Sequence, residues 1–217
     1  MLRYILFLLI LALSLPNPAW AAEVNQQAQD LNRDGFTLLT RGQVEPAIGK
    51  FQDAIKLDKN YAGAYNNLGL ALFRKGDVEG AIRSHRDAIR INANDPTFHS
   101  NLAVALIEKN DLAGSLRAIK EALRLDPKAP PSHNIFGFVL GKNGDVDGSI
   151  REFREAIRLK PDYAGAHNNL GAALEKKGNL AEAEKEYREA LRLDPNFSRP
   201  KEHLKRLEDA KKQKTAK

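Results

Sequence analysis

The chain has 217 residues, with Lys+Arg 34 against Asp+Glu 28, a formal charge of +6 and no cysteine. The lack of thiols excludes a cysteine nucleophile, a thiolate metal site, an iron-sulfur cluster and any disulfide. A hydrophobic fraction of 42% with 15 Gly and 10 Pro fits a soluble globular chain of one or two domains, and argues against wholesale disorder or a collagen-like structure.

Chain order begins with an export address. Met1-Leu2-Arg3 gives a short positive start and Tyr4 to Leu15 an apolar run, too short to span a bilayer core as a helix. Pro16 and Pro18 are expected to stop any helix, and Ala19-Trp20-Ala21 places small residues where a signal peptidase inspects them. Residues 1–21 therefore read as a signal peptide, cleaved between Ala21 and Ala22, with an uncleaved anchor as the alternative. Arg3 has no arginine neighbour for a twin-arginine signal, and no cysteine exists to carry a lipid. The expected location is periplasmic or secreted, with no transmembrane span in the mature chain.

From residue 28 onward the chain repeats itself every 34 residues. The segment YAGAYNNLGLALFRKGDVEGAIRSHRDAIRIN starting at Tyr61 matches YAGAHNNLGAALEKKGNLAEAEKEYREALRLD starting at Tyr163. The units are 28–61, 62–95, 96–129, 130–163 and 164–197. Each reads as two helices. In the first helix the fourth, seventh, eighth and eleventh places, such as Tyr65, Leu68, Gly69 and Leu72, form one helical face. Gly42, Gly76, Asn110, Gly144 and Gly178 then suit a left-handed helix end, and Asp77, Asp111 and Asp145 stand ready to cap the second helix. Ala54, Ala88, Ala122, Ala156 and Ala190 recur at one place and Gly35, Gly69, Ala103, Gly137 and Gly171 at another, where helix axes must approach closely. A pair of short helices cannot bury its stripe alone, so each must lean on the next.

The pattern Tyr65-x-x-Leu68-Gly69-x-x-Leu72 with Ala81, and His167-x-x-Leu170-Gly171-x-x-Leu174 with Ala183, Tyr187 and Pro195, resembles the tetratricopeptide repeat (TPR) family. The resemblance covers residues 28–197. It implies an all-α fold, a right-handed α-α superhelix or solenoid of five tetratricopeptide-like hairpins, with first helices lining a concave inner face. Departures occur where Lys59 and Ala93 replace the closing proline and where Asp34 stands at an apolar place, as an end repeat with nothing stacked outside it would allow. After Phe197 a capping helix is expected over 198–212, carrying Leu204 and Leu207 on one side. A frayed tail follows, basic at residues 213–217.

Charge is concentrated at that end. Residues 198–217 hold eight basic and three acidic side chains, whereas residues 22–197 carry 25 of each, so the body offers no basic face to nucleic acid. Weak contact of the tail with anionic surfaces remains an expectation.

No catalytic, cofactor-binding or metal site is expected. His99, His133 and His167 recur at the repeat interval, which places them on successive helices about 8–10 Å apart, too far to share one zinc. They read as half-buried packing histidines whose burial should weaken the fold as pH falls. Asp145 to Gly148 lacks the later ligands of a calcium loop, Gly141, Gly144 and Gly148 do not follow a strand as a phosphate loop would, and Ser115 and Ser149 have no activating base. Glu182, Glu184, Glu186 and Glu189 read as a solvated face.

The places left over by packing are the informative ones. The fifth and sixth places hold Asn32, Asn66, Asn67, Asn101, Asn134, Asn168 and Asn169, each a donor and an acceptor suited to a peptide backbone. Local hydrogen bonding within the array is the competing reading. The ninth and twelfth places hold Phe36, Leu39, Leu70, Phe73, Val104, Ile107 and Phe138, apolar in the first three or four units and giving way to Gly141, Ala172 and Glu175. Packing against adjacent repeats competes with binding there. The expected function is a non-catalytic scaffold of the cell envelope that holds an extended or helical segment of a partner protein in its groove. A surface tether acting through the basic terminus, or an accessory subunit of an envelope enzyme complex, is the alternative.

Overall fold

The computed structural model describes residues 18–215, and all regular structure among them is helical. The expected apolar run from Tyr4 to Leu15 lies outside the described residues. The described residues form two compact units that meet in sequence between Ala93 and Asn94. The first holds α1 (Pro18–Thr40), α2 (Val44–Leu57), α3 (Ala62–Lys75) and α4 (Val78–Ile91). The second holds α5 (Pro96–Glu108), α6 (Leu112–Leu125), α7 (Pro130–Lys142), α8 (Val146–Leu159), α9 (Ala164–Lys176), α10 (Leu180–Leu193) and α11 (Ser198–Thr215). Pro18, expected to break a helix, stands in the first turn of α1, where a missing N–H removes no helical bond. The Ala21–Ala22 bond lies within α1, at the end of that turn. At the other end α11 continues past residue 212 to Thr215.

Every first helix stops in the same way. Gly42, Gly76, Asn110, Gly144 and Gly178 have φ values of 78°, 92°, 64°, 89° and 89°. The next residue then donates its N–H back to the carbonyl of Leu38, Leu72, Leu106, Leu140 or Leu174 at 2.8 to 3.0 Å, which pairs groups a helix end otherwise leaves orphaned. Asp77, Asp111 and Asp145 accept the N–H of Gly80, Gly114 and Gly148 at 2.8 Å and so start α4, α6 and α8. Between hairpins Asp58, Asp126 and Asp194 accept the N–H two residues on, closing the return turn.

The small residues make room for a ring rather than only for a neighbouring backbone. An added Cβ on Gly35, Gly69, Gly137 or Gly171 would lie 2.6 to 2.8 Å from the ring of Phe51, His85, Phe153 or Tyr187. Those rings are at most 3% exposed and anchor four of the five hairpins, with the fully buried Ile119 at that place in the other; Ala54, Ala88, Ala122, Ala156 and Ala190 are fully buried as well. In the first unit Leu39, Ala47, Ile48, Phe51 and Ala71 form the core. In the second, Ile150, Phe153, Leu170, Leu174, Tyr187 and Leu207 belong to one cluster that draws α11 onto the last hairpin.

Within each unit a second helix packs against its own first helix and the next one, and first helices also touch one another: α1 with α3, α5 with α7, α7 with α9. No pair of second helices packs comparably among the described residues. The hairpins of a unit therefore close on their first-helix side, which is the inner face.

Candidate functional site

The asparagines expected to line the inner face are bonded largely to the array itself. Asn32 donates to the Tyr61 hydroxyl at 3.0 Å and accepts from Asn67 Nδ2 at 2.9 Å. The arrangement recurs in the second unit, where Asn134 donates to the Tyr163 hydroxyl at 3.4 Å and accepts from Asn169 Nδ2 at 2.9 Å. All four are half-buried, as is Asn101. Asn66 and Asn168 are buried deeper, at 6% and 4% exposure. Asn66 Oδ1 meets His85 Nδ1 at 3.2 Å. In the last hairpin Tyr187 replaces that histidine and turns its hydroxyl to Glu175 Oε2 at 2.8 Å, so Asn168 donates to Asn169 at 3.2 Å but its Oδ1 is buried without a partner.

The apolar places divide in two. Leu39 is 3% exposed and belongs to the core of the first unit, against which Leu70 also packs; Phe73 is half-buried. Phe36 and Phe138 keep 49% and 38% of their surface exposed. Beside Phe138, between α7, α8 and α9, opens a hollow of about 220 Å³ with further walls from Val146, Phe153 and Ala173. Asn169, Lys142 and Lys176 also line it, so Phe138 and Asn169 are brought to one place. The Lys142 ammonium stands 5.6 Å from the centre of the Phe138 ring, and Lys176 donates to the Gly141 carbonyl at 3.3 Å.

The hollow lies where the fourth unit meets the fifth, at the far end of the section expected to be apolar over the first three or four units. Gly141 and Ala172, whose small size looked like loss of that section, are what leave the hollow empty. A cavity needs missing side chains as much as apolar ones. Sequence patterning registers only the latter.

A larger depression of about 800 Å³ lies between α8, α9 and α10 around His167. Several of its charges are paired within it: Glu184 with Arg188 at 2.6 Å and Glu189 with Arg192 at 2.7 Å. His167 Nδ1 meets Glu186 Oε2 at 2.7 Å and its Nε2 meets the Pro161 carbonyl at 3.0 Å; His133 repeats this with Glu152 and Pro127 at the same distances. Glu186 is 15% exposed and Glu184 13%, which corrects the reading of that helix side as wholly solvated.

Burial opposes protonation of His167, but the Glu186 carboxylate and the Pro161 carbonyl outweigh it and hold the imidazole above its ordinary value. With an acceptor at each nitrogen the charged ring is the form that satisfies both. The expected weakening at low pH is thus reversed for His167. His85, outside the three histidines of that expectation and without a carboxylate partner among the described residues, is the one that burial lowers, to about 4.

Nothing in the repeat pattern pointed to the cluster at Glu175. Arg206 donates to Glu175 Oε1 at 2.6 Å and the His203 ring stacks on Tyr187 at 4.7 Å, fastening α11. Burial works against ionisation of Glu175, yet Tyr187 and Arg206 together hold its carboxyl below the usual range. Among the described residues no group of three or more His, Asp or Glu side chains is arranged to hold a metal, and no helix is long and apolar enough to cross a membrane.

Comparison with protein families finds a tetratricopeptide repeat model matching residues 139–196 and a TPR repeat model matching 35–76 and 69–109, together more than half of the chain. The chain belongs to the tetratricopeptide repeat family. Among solved structures, the TPR chain is similar to TTC0263, a thermophilic TPR protein of Thermus thermophilus, at 22% identity and a TM-score of 0.72 over 83% of this chain and 98% of that one. It is similar also to YrrB, a TPR protein with an unusual peptide-binding site, at 20% identity and a TM-score of 0.61 over 81% and 90%. Pseudomonas aeruginosa pilF matches at 17% identity and a TM-score of 0.74 over 82% and 81%. These likenesses show the fold, the all-α superhelix class of tetratricopeptide hairpins. No curated protein matches the chain.

Proposed function

We propose that this TPR chain is a non-catalytic scaffold of the cell envelope that holds an extended or helical segment of a partner protein against its first helices. The observation that carries the reading is the hollow on the inner face of the second unit, where Phe138, an exposed aromatic, and Asn169, a side-chain amide, stand together. Protein partners are what the TPR fold suggests in general, and YrrB, of the same fold, has a peptide-binding site. The envelope setting rests on the amino-terminal pattern ending at Ala21-Ala22. The mechanism is positioning without bond chemistry, and a single groove contact of micromolar strength, about −8 kcal/mol, is useful where several are combined.

Photo-crosslinkers placed singly at residues 138, 169 and 151 test the assignment in cells that make the protein. Arg151 is exposed on α8 and serves as the control. A shared partner band from 138 and 169, absent from 151, is expected. Labelling of that partner from 151 alone, or equally from all three, overturns the reading. Mass spectrometry of envelope-fraction protein should find Ala22 as the first residue, and protein confined to the cytosol would refute the location.

A further inference from the structure

We infer that the hollow between α7, α8 and α9 receives one large aliphatic or aromatic side chain of a partner segment that carries a carboxylate beside it, with the apolar group against Phe138 and Ala173 and the carboxylate at Lys142 and Lys176. The inference rests on the first-helix face being a partner-binding surface, and adds what that partner must present.

The molecule itself shows what fills such a place. In the first unit the residues three repeats earlier are leucines: Leu39 lies in the core and Leu70 packs on it. In the second unit Gly141 and Ala172 stand at those two positions and the space is open. Leucine-like bulk is what the hairpin geometry accommodates there. A volume of about 220 Å³ is below the usual 300–1,000 Å³ of small-molecule sites, which limits the occupant to a single side chain.

Charge selects the flanking group. Lys142 and Lys176 line the hollow, which includes no acid, and among the described residues neither lysine has a carboxylate partner. Their neighbours do: Lys177 pairs with Asp147 at 2.6 Å and Glu175 with Arg206 at 2.6 Å. Two cations at an otherwise apolar mouth favour an anionic flank and disfavour a basic one.

Selection of random displayed peptides on the purified full chain tests the assignment, with fluorescence titration of the enriched sequences. Enrichment of an acid adjacent to a large apolar residue is expected. Ala172→Leu, which installs the side chain that Leu70 carries at the same place, should weaken those peptides at least about tenfold while leaving the melting temperature equal or higher. Lys142→Gln with Lys176→Gln should weaken them about tenfold at low salt and abolish the preference for the acid. Enriched peptides that lack the acidic and apolar pair, or that bind Ala172→Leu as well as the parent, overturn the inference while leaving the scaffold reading standing. Failure to enrich any peptide overturns both.

Discussion

Replacing His85 by Phe should flatten the dependence of stability on pH between neutrality and pH 5. His85 is 1% exposed, and burial lowers its pKa from 6.5 to about 4. The unfolded chain therefore takes up the proton more readily than the folded one. Stability is full above about pH 7 and is lost as pH falls through 6.5 toward 4. The whole interval is worth on the order of 3 kcal/mol, of which about 2 kcal/mol is lost by pH 5. Phenylalanine fits the position, since Phe51 and Phe153 occupy it in other hairpins over Gly35 and Gly137. It forfeits the 3.2 Å contact with Asn66, so the variant should be less stable at pH 8 by about 1 kcal/mol. Urea denaturation followed by circular dichroism at pH 8 and pH 5 gives four stabilities. The other histidines are common to both proteins, and the difference of differences isolates His85. Equal losses in parent and variant would refute the argument.

Two further substitutions probe packing and the charged histidine. Gly49 lies within α2 with nothing inside 4 Å of an added Cβ, so Gly49→Ala should stabilise by about 0.5–1 kcal/mol; Gly171→Ala drives a Cβ to 2.7 Å from the Tyr187 ring and should instead destabilise by about 1 kcal/mol or more. Melting curves that shift in the same direction would contradict this. For His167 the folded pKa is raised, so its contribution is full below about pH 6.5 and is lost as pH rises through the folded value. Glu186→Gln should lower the midpoint of the His167 ring resonances in an NMR titration and, by removing a contribution that favours low pH, deepen the net loss of stability from pH 8 to pH 5; an unmoved midpoint would show that the 2.7 Å contact does not set it.

The hairpins were legible in the sequence because their signals are local. A glycine or Asn110 at a left-handed position, followed by Asp77, Asp111 or Asp145 as a cap, specifies a helix end and a helix start within a few residues. The side chains that decide the site were less legible because their partners lie a hairpin or more away. Glu186 sits 19 residues from His167 and reads as one more surface acid until the helices pack. Asn32 and Asn67 look like free amides until repeats stack and join them. The hollow was masked by the opposite error, because Gly141 and Ala172 appear to weaken the apolar stripe where they in fact open it.

The rungs between first helices run at a fixed step of 35 residues. Asn67 reaches Asn32 and Asn169 reaches Asn134, each at 2.9 Å, while Arg74 donates to the Leu39 carbonyl at 2.7 Å and Lys176 to that of Gly141 at 3.3 Å. Tandem duplication or loss of 34 residues leaves every such rung in place, whereas one inserted residue inside a helix throws both kinds out of phase together. Length changes inside the helices are therefore expected in whole modules, and frame-preserving indels of other sizes only in the returns between hairpins.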